Sequence, residues 1–168
     1  YNDPNFIYEI SRKAEFMNTR NIFTLMSFED IKNQSNPDSF ELKNHQIFLR
    51  NFMNEATPYR GLLIFHGVGV GKTCTGVTIS HQFHDIYKRK NKRIIILSSK
   101  NIKPAWLKTI FDPTKGENQC SGDLYNDILY NKKIKDKIKH IEKQYYELYG
   151  YHKFAIIIKK LINARKGI

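Results

Sequence analysis

The residues best suited to chemistry lie in one short run, which consists of His66, Gly67, Val68, Gly69, Val70, Gly71, Lys72 and Thr73. Its glycines alternate with valines, so the loop can curl with its N–H groups pointing inward and form a nest for an anion. A lysine at the end of such a loop reaches the β- and γ-phosphates of a nucleotide, and the next hydroxyl binds Mg²⁺. The run therefore predicts a phosphate-binding loop for ATP and Mg²⁺, with Lys72 and Thr73 as the catalytic pair and Thr73 as the metal ligand.

The run departs from the usual phosphate-loop pattern, G-x-x-x-x-G-K-[ST], at one position. Gly71, Lys72 and Thr73 match, whereas His66 stands where the first glycine belongs. We expect His66 to pack or hydrogen-bond behind the loop. Cys74 is counted with the nucleotide-binding residues and is expected to be a small buried residue in the following helix. The alternative is a glycine-rich turn with an incidental lysine.

The elements around the loop predict an α/β domain. Residues 61–66 form a continuous apolar run, as a buried parallel strand does, and residues 72–89 are expected to be helical. A second buried strand is predicted over residues 93–98. Pro104 suits the start of a helix over residues 105–111.

The two ends of the chain are less regular. We expect residues 1–40 to be an irregular lead-in with one short helix over residues 28–33. The main domain, residues 41–168, should open with a helix over residues 41–54, for which Ser39 is a plausible N-cap.

Beyond the second strand, the pattern continues to alternate. Residues 112–122 read as a loop, residues 123–143 as a lysine-rich helix and residues 145–149 as a third short strand. Apolar residues over 154–162 recur with the spacing of an amphipathic helix. Alternating strands and helices predict a mostly parallel sheet.

The positive charge is concentrated in one part of the chain. The 168 residues carry a net charge of +12. Residues 1–70 hold 7 basic and 8 acidic side chains, whereas residues 71–168 hold 21 and 8. This asymmetry favours a polyanionic partner such as nucleic acid. The alternative is a solvated lysine-rich surface, because an AT-rich genome also raises the lysine content.

The cysteines and the apolar residues indicate the compartment in which the chain works. Cys74 and Cys120 are too few for a disulfide framework and lack the spacing of a zinc site, so we expect free thiols in a reducing compartment. Apolar residues, at 40%, suffice for a core. No run approaches the roughly 20 apolar residues of a membrane span, and no membrane partner is expected.

Two segments before the loop, residues 43–52 and 57–66, carry a family resemblance together with the loop. The three segments resemble the first ATPase lobe of superfamily 2 helicases, and in particular the SNF2-like helicases of nucleocytoplasmic large DNA viruses. That group includes the small subunit of the poxvirus-type early transcription factor and a transcription-termination nucleoside triphosphatase. The resemblance implies a RecA-like P-loop NTPase lobe with a mostly parallel sheet, here incomplete.

The same resemblance gives roles to residues outside the loop. Gln46 takes the place of a glutamine that reads adenine, since its amide can both donate and accept; the alternative is an exposed helix glutamine. Residues 94–106 are similar to a strand and polar turn that touch the nucleic-acid backbone. Trp106 is expected to be a packing residue. The implied backbone contacts are Ser98, Ser99, Lys100 and Lys103.

An acidic box that would complete hydrolysis is missing. Helicases of this type hold Mg²⁺ and orient water with an Asp and a Glu after a later strand. Here residues 156–158 are followed by Lys159 and Lys160, and Glu29 and Asp30 precede the loop. We therefore expect a truncated first lobe that binds nucleotide weakly and does not turn it over.

The full protein is expected to use ATP to move along DNA through backbone contacts. Its implied partners are a viral RNA polymerase or transcription-factor subunit, in the virion and the host cytoplasm. Two alternatives remain open: another P-loop ATPase or kinase, and a non-catalytic nucleic-acid-binding module with a relic phosphate loop.

Overall fold

The fold mixes helices with one small sheet. It is seen in a computed structural model that describes residues 3–19, 40–126 and 133–166. A short 3₁₀ helix, Lys100–Ile102, follows the first strand. The helices are α1 (Phe6–Arg12), α2 (Ala14–Met17), α3 (Asn44–Phe52), α4 (Lys72–His81), α5 (His84–Arg89), α6 (Lys103–Ile110), α7 (Ile134–Tyr145) and α8 (Tyr151–Lys166), and the strands are β1 (Ile94–Leu97) and β2 (Tyr146–Tyr149).

The two strands run parallel, as the sequence predicts. Their register places Ile94 beside Tyr146 and Leu97 beside Tyr149. A parallel pair needs a long crossover, and here it includes α6 and α7. The predicted strands over residues 93–98 and 145–149 and the helix over residues 105–111 are thus confirmed, each within two residues of the expected ends.

The main core lies where α4, α6 and α7 meet the sheet. Its most deeply buried apolar residues are Val77, Ile110, Tyr125, Ile141 and Tyr146. Trp106 packs against this cluster, and its ring lies so close to α4 that a Cβ at Gly76 would approach it to 3.0 Å. The expected packing role of Trp106 is confirmed.

A second apolar cluster joins the start of the chain to α3. Ile10 and Phe16, from α1 and α2, are buried with Phe52 of α3. The prediction of an irregular lead-in is therefore wrong for residues 6–17, because their apolar side chains have a helix to pack against. Residues 28–33 and Ser39, the predicted short helix and cap, lie outside the described residues.

Several predicted helix bounds need correction. The helix expected over residues 72–89 is divided at Gln82 and Phe83, so α4 and α5 are separate. Helix α3 begins at Asn44 after Lys43 as its N-cap residue, not at 41 after Ser39. Of the helix predicted over residues 123–143, α7 covers the second half, and residues 127–132 lie outside the described part.

Helix α8 confirms the predicted helix over residues 154–162 and is longer at both ends. Its apolar stripe is only partly covered. Phe154 and Ile157 are half-buried, whereas Ile156 and Leu161 are exposed.

The predicted strand over residues 61–66 is wrong. These residues have no strand partner among the described residues, where β1 and β2 pair only with each other. Leu63 is 89% exposed and Phe65 is 95% exposed. An apolar run becomes a buried strand only where a neighbouring strand satisfies its backbone groups, and none is present here among the described residues.

The prediction of free thiols is also wrong. Cys74 and Cys120 form a disulfide, with their Cα atoms 5.6 Å apart. The bond ties the first turn of α4 to the loop that follows α6. Spacing could not reveal this pair, because its members are 46 residues apart in sequence and only the packing of the loop against α4 brings them together.

No helix within residues 3–19, 40–126 or 133–166 combines the length and the apolar character that a membrane span requires.

Candidate nucleotide-binding site

The glycine-rich loop ends at the start of α4. Gly69 and Gly71 have φ values of 81° and 82°, in the left-handed region that favours glycine. Helix α4 begins directly afterwards at Lys72 and runs for ten residues. The positive end of its dipole and its free N–H groups therefore face the loop, which suits an anion.

The Lys72 side chain folds back over the start of the loop. Its Nζ donates to the carbonyl oxygens of His66, at 3.0 Å, and Gly67, at 2.6 Å. The ammonium group is thus held beside the loop and remains exposed to solvent. A phosphate group entering the loop would find a cation already in place.

The hydroxyl of Thr73 is the loop's candidate ligand for a metal ion. It is half-buried, and its hydroxyl makes no hydrogen bond to any described residue. No group of three His, Cys, Asp or Glu side chains that could hold a metal ion occurs in the described ranges. The residues present therefore fit a Mg²⁺ ion that a nucleotide's phosphates and one hydroxyl share, and they do not form an all-protein metal site.

Gln46 lies against the end of the loop. Its Oε1 accepts the N–H of Lys43 at 2.9 Å, and its Nε2 donates to the carbonyl of Gly71 at 3.4 Å. The side chain is only 4% exposed, so the alternative of an exposed helix glutamine is wrong. A Cβ at Gly71 would lie 2.8 Å from Nε2, which means that only glycine fits there without a shift.

Two histidines support the loop from behind. The His45 Nε2 lies 3.3 Å from the carbonyl oxygen of Val70. Its ring meets that of His66 edge to face, with centroids 5.2 Å apart. His66 Nδ1 is buried and finds no partner among the described residues. The expectation that His66 packs behind the loop is confirmed, and the matching role of His45 is one that the sequence did not indicate.

The proposed backbone-contact residues are in mixed surroundings. Ser98 is buried, and its hydroxyl donates to the carbonyl of Ser99 at 3.3 Å. Lys103 forms an ion pair with Glu142 at 2.7 Å. Ser99 and Lys100 are exposed at the carboxyl end of β1. Two of the four side chains are thus open to a partner.

A buried polar cluster behind α4 was not foreseen. The Tyr146 hydroxyl lies 2.9 Å from both Ser80 Oγ and His84 Nε2. Burial lowers the pKa of His81 to about 3 and that of His84 to about 4, and it raises the pKa of Tyr146 to about 12. These groups are neutral at pH 7; His84 and Tyr146 lie within the core, and His81 is half-buried beside them.

Comparisons relate the chain to helicases of large DNA viruses. It is 34% identical, over 74% of its length, to a candidate ATP-dependent RNA helicase of Acanthamoeba polyphaga mimivirus. A second mimivirus protein of the same description is 32% identical over 77% of the chain, and a candidate helicase of Invertebrate iridescent virus 3 is 28% identical over 72%.

The chain matches only a small part of these relatives. It covers 22% of the first mimivirus protein, 11% of the second and 13% of the iridescent virus protein. No family model matches the chain. No solved structure matches it with significance.

Proposed function

We propose that the chain is the ATP-binding part of a helicase or translocase that hydrolyses ATP in a nucleic-acid-dependent manner. Residues 41–168 would be part of the first RecA-like lobe of a superfamily 2, SNF2-like enzyme, and residues 1–40 would precede it. The likeness to viral helicases supports the class. The observation that carries the proposal is the loop before α4, where Gln46 donates to the carbonyl of Gly71 and the Lys72 ammonium lies beside the loop.

Each loop residue has a physical task in this proposal. The N–H groups of the loop and the end of α4 would attract the phosphates, and the Lys72 ammonium would exchange its two carbonyl partners for phosphate oxygens. Thr73 offers its hydroxyl to the metal ion. Bound Mg²⁺ would neutralise charge on the phosphates. Gln46 holds the end of the loop through its bond to Gly71. We propose that it also contacts adenine, which would require its amide to give up its bond to Lys43 or to Gly71.

The identity of the nucleic acid is part of the proposal. We propose DNA, contacted through its backbone near Ser99 and Lys100, and a role in viral transcription beside an RNA polymerase or transcription-factor subunit in the virion and host cytoplasm. The two mimivirus relatives are described as RNA helicases, so RNA is the competing partner.

The test is ATP hydrolysis by the full-length protein, measured alone, with single-stranded DNA, with duplex DNA and with RNA. We expect DNA to stimulate hydrolysis more than RNA does, and Lys72→Ala to abolish the stimulated rate. Stimulation by RNA alone would overturn the DNA assignment. Absence of stimulation by any nucleic acid would overturn the motor function. Turnover by the 168-residue chain itself would contradict the expectation that it binds nucleotide without hydrolysing it.

A further inference from the structure

The amino ends of the two strands carry an unusual concentration of positive charge. Five of the six residues from 88 to 93 are Lys or Arg, and all six are exposed. They form the end of α5 and the turn into β1. Lys139 and Lys143 lie on α7, which leads directly into β2. We call this surface the basic face; its members are Lys88, Arg89, Lys90, Lys92, Arg93, Lys139 and Lys143.

Packing brings the two halves of the basic face together. Helix α5 lies against α7, and the ring of His84 stacks on that of Tyr145 with centroids 4.5 Å apart. Arg93, Lys139 and Lys143 line one cavity of about 350 Å³ along β2. Cations from two distant parts of the sequence therefore share one surface.

The nearby carboxylates cancel only part of this charge, although Glu142 and Glu147 line the same cavity. Glu147 is paired with Arg93 and also accepts the Tyr149 hydroxyl, and Glu142 is paired with Lys103 of α6. Asp85, in the first turn of α5, and Asp136, in the first turn of α7, are the other carboxylates of these two helices. Within the described residues, no other member of the basic face forms an ion pair with a carboxylate. The surface therefore has a local excess of cations, which attracts polyanions.

We propose that the basic face is a second binding surface for the nucleic-acid backbone, separate from the turn at Ser99 and Lys100. This inference rests on the nucleic-acid partner of the proposed function. The two surfaces lie at opposite ends of β1. At about 3.3 Å per residue, the six steps from Arg93 to Ser99 span roughly 20 Å, which is about six base-pair steps along the axis of a DNA duplex. A strand running along the sheet edge could contact both.

The main test replaces the three lysines of the turn in K88Q/K90Q/K92Q. The matched control, K13Q/K108Q/K115Q, removes three exposed lysines elsewhere. Binding of a labelled single-stranded DNA of about 20 nucleotides, longer than one typical single-strand site, is followed by fluorescence anisotropy across a salt series. We expect the turn variant to lose about tenfold or more in affinity and about 2 units of salt slope, and the control to lose much less.

A second variant, K139Q/K143Q, tests the same face from α7 and should also weaken binding. Thermal melting and nucleotide binding of each variant show whether the fold is kept. If the unchanged protein does not bind the oligonucleotide, the nucleic-acid partner of the proposed function fails. If it binds and both basic-face variants bind equally well, the second surface is overturned while the proposed function stands.

Discussion

The regions on either side of α4 use the same kinds of side chain in opposite ways. C-terminal to α4 in the sequence, Tyr125 and Tyr146 are each only 1% exposed and pack with α6 and α7. N-terminal to α4, Leu63 and Phe65 are exposed to solvent. Both regions are rich in apolar and aromatic residues. The difference shows that an apolar run is buried only where other elements supply a surface and backbone partners.

The sharpest way to probe this contrast is to truncate one aromatic residue in each region. Tyr125→Ala should lower the free energy of unfolding by about 3–5 kcal/mol, because it opens a cavity in a closed core. Phe65→Ala should change it by less than about 0.5 kcal/mol. Urea denaturation of both variants measures the two values. Equal losses would mean that residues 61–66 are packed after all.

Low pH should lower the free energy of unfolding through His81 and His84, and residues 61–66 should not contribute to this loss. His81 and His84 have lowered pKa values, so the unfolded chain takes up protons below about pH 6.5 while the folded chain stays neutral until about pH 3–4. Stability is thus complete above pH 6.5 and falls as the pH drops. Between pH 7 and 5 the loss should reach about 4 kcal/mol for the pair.

Urea denaturation at pH 7 and pH 5 measures this loss, and H81Q/H84Q is the matched variant. We expect the variant to be less stable at pH 7 and to depend much less on pH. A variant with the same pH dependence as the unchanged protein would show that other groups are responsible.

The disulfide should contribute next. Closing a loop of 46 residues restricts the unfolded chain, which by the chain-entropy relation is worth up to about 4 kcal/mol. Reduction by a dithiol, which becomes a cyclic disulfide as it leaves two thiols, should lower the melting temperature by several degrees. Cys120→Ser should melt at that lower temperature with or without the dithiol. A melting temperature that does not respond to reduction would remove the bond from the account.

The smallest expected effect on stability concerns the loop backbone. Gly71→Ala forces a side chain into left-handed geometry and against Gln46, which should cost about 1–2 kcal/mol and weaken nucleotide binding. Gly61→Ala is the matched control, because a Cβ at Gly61 meets nothing within 4 Å. Calorimetric titration with Mg·ATP and thermal melting report both effects. Equal behaviour of the two variants would argue against a fitted loop at Gly71.

Local pattern was enough to find β1 from its apolar run, α6 from Pro104 and α8 from its amphipathic spacing, and the alternating order of elements indicated β2. It was also enough to place the glycine loop before a helix. It failed where the outcome depends on distant partners. Residues 61–66 needed a neighbouring strand. Residues 6–17 looked irregular because the residues that Phe16 contacts in α3, Phe48 and Phe52, are more than 30 residues away in the sequence.

The site shows the same division. The spacing of Gly71, Lys72 and Thr73 indicated phosphate chemistry directly. The support of His45 to the loop and the bond between Cys74 and Cys120 arise from packing between segments far apart in sequence. His45 directly precedes Gln46 in the sequence, but no local sequence pattern distinguishes it as a residue that supports the loop.

The central claim is that the loop before α4 binds a nucleotide through Lys72. Calorimetric titration of the purified chain with Mg·ATP, beside Lys72→Ala with the same melting temperature, tests it most directly. We expect weak but saturable binding by the unchanged chain and a loss of about tenfold or more, at least about 1.4 kcal/mol, in the variant. Equal affinities, or no binding by the unchanged chain, would contradict the claim.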